Sequence, residues 1–192
     1  MASLDEYVAG LTGVLEEIDR QAFDAVIRAL EQVQAEDRFV YVCGNGGSAA
    51  TASHIVNDLV KAPATATGCR PIRAMCLADC VPLMTALAND IDYARAFAHQ
   101  LDAYGREGDL LIAISGSGNS ANVVEAAKVA HAKGMRTVAM TGFDGGRLAD
   151  LADIHLHVPC KCMAQVEDAH LILEHAMVEI LKETLRDTQG GV

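Results

Sequence analysis

His54 and Asp58 stand four residues apart in "SHIVNDL". On a helix that spacing puts both side chains on one face. An imidazole beside a carboxylate can hold a divalent cation, or orient a base at a bound ligand. A weak surface ion pair is the plainer reading. Directly before the pair comes "CGNGGS" (Cys43–Ser48), a Gly/Ser loop between an apolar run and a helix. A second loop of the same design, "SGSGNS" (Ser115–Ser120), follows another apolar run and opens another helix. Such loops let the backbone approach a ligand closely, and the helix start beyond them offers unpaired N–H groups. Ser48, Ser115, Ser117 and Ser120 add hydroxyl donors. Phosphate is the ligand that suits them. One loop of this kind is often a plain turn; two at equivalent strand ends argue for a site.

A third group lies near the C-terminus: Glu167, Asp168, His170, Glu174 and His175. His170 and Glu174 form another i, i+4 pair. Glu167 and His175 are eight residues apart, about 12 Å along a continuous helix. Long side chains could converge from that separation, or serve sites in different subunits. Helix geometry alone leaves both open, together with a merely solvated charged face.

Nucleotide motifs do not account for the glycines. "GNGGSAA" lacks the G-x-x-x-x-G-K-[ST] spacing, and Ala49 stands where G-x-G-x-x-G needs its last glycine. No acidic residue ends the next strand in a ribose-binding role. No nucleotide cofactor is expected.

The elements that must position these residues alternate in type. "SLDE" (Ser3–Glu6) matches a capping box, and Val8, Leu11, Leu15 and Ile18 recur at helical spacing, continued by Val26, Leu30 and Val33. Residues 1–37 therefore read as helices that cover the domain or pack in an oligomer. From Arg38 onward, strand candidates "RFVYVC", "IRAMCLA", "DLLIAIS", "RTVAMT" and "IHLHVP" alternate with helices. The segment "LMTALANDIDYARAFAHQLDAYG" is helical but interrupted around Asn89–Asp90. "VEDAHLILEHAMVEILKETLRD" is a long final helix, and "TQGGV" reads as a frayed tail. Strands separated by helices pair in parallel through right-handed crossovers. The expected fold is α/β, a doubly wound five-stranded parallel sheet with an N-terminal helical extension and a long C-terminal helix. Residues 38–188 form one unit.

Composition sets the boundaries. The 192 residues carry a formal net charge of −11 and no basic tract, so nucleic acid is not an expected partner. The start "MASLDEYVAG" has no basic or apolar leader character, and no apolar run reaches the roughly 18 residues of a membrane span. A cytoplasmic protein with no membrane partner is expected. Cys43, Cys69, Cys76, Cys80, Cys160 and Cys162 show no C-x-x-C spacing and read as reduced thiols; "CKC" with Cys76 and Cys80 fits no common zinc module.

Taken together, these residues resemble the sugar isomerase (SIS) domain family, most closely its phosphoheptose isomerase branch. The resemblance rests on "CGNGGS", His54-x-x-x-Asp58, "ANDIDYARAF", "GREGDLLIAISGSGNSANVVEAA", "TGFDGG" and "QVEDAHLILEH". It implies a flavodoxin-like sheet in a homotetramer, with active sites between subunits. It implies a phosphosugar held by Ser115, Gly116, Ser117 and Ser120, with Ser48 nearby. Asn45, Gly46 and Gly47 would line the sugar site, and Asn89 and Asp90 would contact substrate. His54, Asp58, Glu167 and His175 match positions that can hold zinc. Asp58 and His175 match the acid/base pair, and Asp58 and Glu167 also match substrate-binding positions.

The implied activity is conversion of sedoheptulose 7-phosphate to D-glycero-D-manno-heptose 7-phosphate through an enediolate, for nucleotide-activated heptose. Two other readings stay open: a shorter phosphosugar as substrate, or a non-catalytic regulatory relative, such as a replication-initiator-associated type. Three positions depart from the branch's usual residues. Asp58 replaces Glu, Glu167 replaces Gln, and Gly116 replaces Thr.

Overall fold

The computed structural model describes residues 3–189, without the side chains of residues 62, 64–67 and 187–189. Two helices lead, α1 (Leu4–Glu16) and α2 (Arg20–Ala35). Each has a side-chain cap. The Glu6 N–H donates to Ser3 Oγ at 3.2 Å, and the N–H groups of Gln21 and Ala22 donate to Asp19 Oδ1. Such caps satisfy N–H groups the helix itself cannot.

Strands and helices then alternate as expected: β1 (Phe39–Cys43), α3 (Gly47–Thr67), β2 (Arg73–Cys76), α4 (Val81–Leu87), α5 (Ala96–Tyr104), β3 (Leu110–Ser115), α6 (Ala121–Ala132), β4 (Arg136–Thr141), α7 (Gly146–Ala149), β5 (Ile154–His157) and α8 (Met163–Gln189). The break at Asn89–Asp90 is real: a π-helical turn (Ala88–Asp92) and a 3-10 turn (Tyr93–Arg95) separate α4 from α5. Of the expected tail, residues 190–192 lie outside the described residues, while Thr188 and Gln189 still belong to α8.

All neighbouring strands are parallel, in the order β2-β1-β3-β4-β5. Both faces are covered, which is why β3 is buried at every position. Alternation within the strands sorts the two layers. Val40, Val42, Leu110, Ile112 and Ile114 face α2, α3 and α8. Tyr41, Cys43, Leu111 and Ala113 face α5 and α6. Each fully buried Leu or Ile contributes about 1.5–3 kcal/mol of transfer free energy. Among the described residues, no helix is long and apolar enough to cross a membrane.

The two leading helices differ. Phe23, Val26, Ile27, Leu30 and Val33 of α2 are buried in the core. No residue of α1 is buried. It leans on α8, where the Tyr7 hydroxyl donates to Asp168 Oδ2 at 2.6 Å and Gln165 Nε2 donates to Tyr7 O at 3.0 Å.

The strand order places the site. Winding reverses between β1 and β3, and open parallel sheets bind ligands beyond the carboxyl ends of the strands at such a reversal. β1 and β3 are the strands that end in the two Gly/Ser loops.

Candidate active site

The first loop turns sharply because its glycines permit it. A Cβ on Gly44 would lie 2.7 Å from the Ser48 carbonyl carbon. Gly46 caps α3 at φ 55° without any side-chain cap bond, so the first N–H groups of α3 stay available. In the second loop Gly118 has φ 64°, and a Cβ there would fall 1.8 Å from the Gly145 carbonyl oxygen. Ser120 caps α6, again without a side-chain cap bond.

The two loops share one cleft of about 130 Å³, lined by Asn45, Ser48, Ser115, Gly116, Ser117, Ser120, Met163 and Glu167, with Ile114 at its floor. No cationic side chain lines it. Its donors are hydroxyls and helix N-termini, suited to a phosphate in an acidic protein. Ser115 Oγ donates to Ser120 Oγ at 3.2 Å, joining the strand end to the helix start.

A second cavity of about 250 Å³ lies beyond Asn45, lined by Gly44, Gly46, Ala78, Met84, Tyr93 and Phe97 among others. Asn45 lines both, and three hydrogen bonds from two partners hold it. Asn45 Nδ2 donates to Asn122 Oδ1 at 2.9 Å, and Asn122 Nδ2 donates back to Asn45 Oδ1 at 2.8 Å. The Tyr93 hydroxyl donates to Asn45 Oδ1 at 2.6 Å. Asn122 and Tyr93 are site residues that the sequence reading missed. The available signal was Asn122 itself, an amide just inside an otherwise Ala/Val-rich helix. Asn89 and Asp90 are exposed on the π-helical turn, where Asn89 Nδ2 donates to Asp90 Oδ1 at 2.7 Å; they line neither cavity.

Helices α3 and α8 pack side by side in the same direction. At their N-termini Glu167 lies against Gly47, whose Cβ would be 2.5 Å from Glu167 Oε2. Two turns on, His54 Nε2 and His175 Nε2 are 3.3 Å apart. Seven residues separate 47 from 54 and eight separate 167 from 175, about 10 and 12 Å along the two axes. The rungs match because the helices run in parallel.

At the second rung, His54 Nε2 is 3.7 Å from Asp58 Oδ2, and His175 Nε2 is 3.5 Å from Glu174 Oε2. One ligand atom from each of His54, Asp58, Glu174 and His175 lies within 4.8 Å of all the others. The structure thus brings together three of the four residues expected to hold a metal. It puts Glu174 in the fourth place and leaves Glu167 in the anion cleft. The expected i, i+4 pairing of His170 with Glu174 does not form, and neither residue lies on a solvated face. His170 Nε2 donates to Thr141 O at 3.3 Å, and burial pushes its pKa down to about 4. Glu174 is 1% exposed, and no donor reaches either of its oxygens. Burial first, and the Asp58 carboxylate second, push its pKa up to about 7.

These four side chains fit a divalent cation. A tetrahedral ion bound at about 2.0–2.1 Å sets its ligand atoms roughly 3.3–3.4 Å apart. The two imidazole nitrogens already have that separation. A buried carboxylate without a donor calls for a cation or a proton.

Comparison with known proteins agrees with the fold. A model of the SIS domain matches residues 6–142. A phosphoheptose isomerase of Halorhodospira halophila is 39% identical over 180 residues, covering 91% of this chain and 89% of that protein. The structure of phosphoheptose isomerase GmhA from Neisseria gonorrhoeae superposes with a TM-score of 0.84 at 34% identity, over 94% of this chain and all of that one. A phosphoheptose isomerase from Francisella tularensis gives 0.88 at 29% identity, over 95% of this chain and all of that one. The chain belongs to the SIS domain family, on the branch of the phosphoheptose isomerases.

Proposed function

We propose that this chain is an aldose–ketose isomerase that converts sedoheptulose 7-phosphate to D-glycero-D-manno-heptose 7-phosphate, for nucleotide-activated heptose. The relatives named phosphoheptose isomerase support the substrate. The observation that carries the reading is the pair of rungs between α3 and α8. One end of the site is an anion cleft of serines and helix N-termini. The other, two turns along the same helices, is a cluster of histidines and carboxylates. The separation of about 12 Å suits an extended sugar of several carbons with its phosphate on the far end.

The chemistry follows from that layout. Ser48, Ser115, Ser117, Ser120 and the Gly116 backbone hold the phosphate and keep the sugar in register. Asn45, Gly46 and Gly47 line the sugar path, and Glu167 meets its hydroxyls. Asn89 and Asp90, outside both cavities of their own subunit, contact substrate bound in a neighbouring subunit of the assembly. A proton leaves C1 of the ketose, an enediolate forms, and a proton is delivered to C2. Asp58 serves C2 and His175 is its acid/base partner. Nothing is consumed, since one proton moves from C1 to C2 and the hydroxyl proton moves from O1 to O2. The side chains of His54, Asp58 and His175 would hold a zinc ion, which would supply Lewis acidity at the carbonyl.

The working form is a homotetramer in the cytoplasm. Leu4 and Val8 of α1 and Ile172 and Ile180 of α8 are exposed apolar side chains that assembly would cover. The free thiols of Cys43, Cys76, Cys80, Cys160 and Cys162 suit a reducing compartment. Incubation of the protein with sedoheptulose 7-phosphate, with and without added zinc, should yield the aldose by NMR. Tight binding of the sugar phosphate without turnover under either condition would overturn the reading in favour of a binding protein.

A further inference from the structure

We propose that Glu174 is the second carboxylate ligand of a divalent-cation site completed by His54, Asp58 and His175, and that Glu167 takes no part in it. The inference rests on the reading of this cluster as the reacting end of the site.

Three observations carry it. First, Glu174 is buried to 1% exposure, yet neither carboxylate oxygen has a hydrogen-bond donor. Beside it stand His175, whose Nε2 lies 3.5 Å away, and the like-charged Asp58 carboxylate, within 4.8 Å. A carboxylate closed off from water with no donor is costly unless a cation meets it. Second, one ligand atom from each of the four residues lies within 4.8 Å of all the others. Third, Glu167 is engaged elsewhere. Its carboxylate packs over Gly47 at the start of α3 and lines the anion cleft. About 12 Å of helix separates it from His175.

The charge balance agrees. Two carboxylates and two neutral imidazoles around a divalent ion make a neutral centre. With Glu167 as the fourth ligand, Glu174 would remain as an unneutralised carboxylate beside it. The same assignment explains how a carboxylate can stand at the Glu167 position. There it lies at the N-terminus of α3, where negative charge is favoured.

The test reads metal, not turnover, so it stands whether or not the sugar phosphate is converted. The full-length protein is stripped with a chelator and titrated with zinc against a chromophoric competitor, and with cobalt for its visible ligand-field bands. Loss of an outer hydrogen-bond partner alone costs about 10–100-fold in metal affinity. Glu174→Gln and Glu174→Leu should therefore each weaken zinc by at least about 100-fold and alter the cobalt spectrum. Glu167→Gln should leave both within about threefold. Without metal, the two Glu174 variants should melt no lower than the parent, because they remove an uncompensated buried charge. Two substitutions keep the test standing if one misfolds. Equal or greater loss of metal in Glu167→Gln, or no stoichiometric binding by the parent protein, overturns the assignment.

Discussion

His54 and His175 are 121 residues apart in the chain, and their Nε2 atoms meet at 3.3 Å with the two rings edge to face. Two imidazole nitrogens at that distance can share one proton or one cation. Two full positive charges there would repel. The contact exists because α3 and α8 lie side by side on the same face of the sheet.

Replacement of Asp58 by Asn, or of His175 by Gln, keeps size and hydrogen-bonding capacity while removing the ability to move a proton. Each should lower kcat on sedoheptulose 7-phosphate by about 10²–10⁴-fold. Neither should change the elution volume in size-exclusion chromatography. An Asp58→Asn protein with full activity would remove Asp58 as the base.

Gly47 and Glu167 should behave as one unit. Alanine at the first position of a helix is ordinarily benign. Here its methyl group would displace the Glu167 carboxylate. Gly47→Ala is expected to raise KM for the sugar phosphate severalfold in the parent and to do little once Glu167→Ala is present. A coupling energy of about 1 kcal/mol in that cycle is the expected size for residues in contact. Strict additivity would show that the carboxylate does not lie over Gly47.

His170 should make the fold sensitive to acid. Burial lowers its pKa from 6.5 to about 4, so between those values the unfolded chain binds a proton that the folded one refuses. Its contribution is fully present above pH 6.5 and is lost as pH falls from there toward 4. The shift corresponds to about 3 kcal/mol. His170→Gln, whose amide can still donate to Thr141 O, should lose about that much less stability than the parent between pH 7 and pH 4. Denaturant titrations at both pH values measure it. Parallel losses in the two proteins would count against the burial of His170.

The class of fold was readable because each local signal agreed with the whole. "RTVAMT" coincides with β4 (Arg136–Thr141), and the expected interruption at Asn89–Asp90 falls within the π-helical turn. Gly44 to Ser48 and Ser115 to Ser120 announced their loops, because a strand running into glycine and serine has few other uses before a helix. Asn122 and Tyr93 escaped notice. Their roles depend on a reciprocal amide bond across 77 residues and a hydroxyl contact across 48, and no spacing rule encodes either.

By itself the sequence determined the α/β alternation, the two phosphate-type loops and the His54–Asp58 pair, all of which follow from periodicity and local chain chemistry. It also supplied two acids on the last helix, Glu167 and Glu174, and the family resemblance pointed to Glu167 as the metal-site residue. They are seven residues apart, so both fall on nearly the same face of α8. Only the packing of α8 against α3 separated them. With the helices parallel, the first acid lands on Gly47 at the anion cleft, and the second lands beside the two histidines. That choice depends on how far one helix is shifted along the other, a quantity set by the sheet and core beneath both.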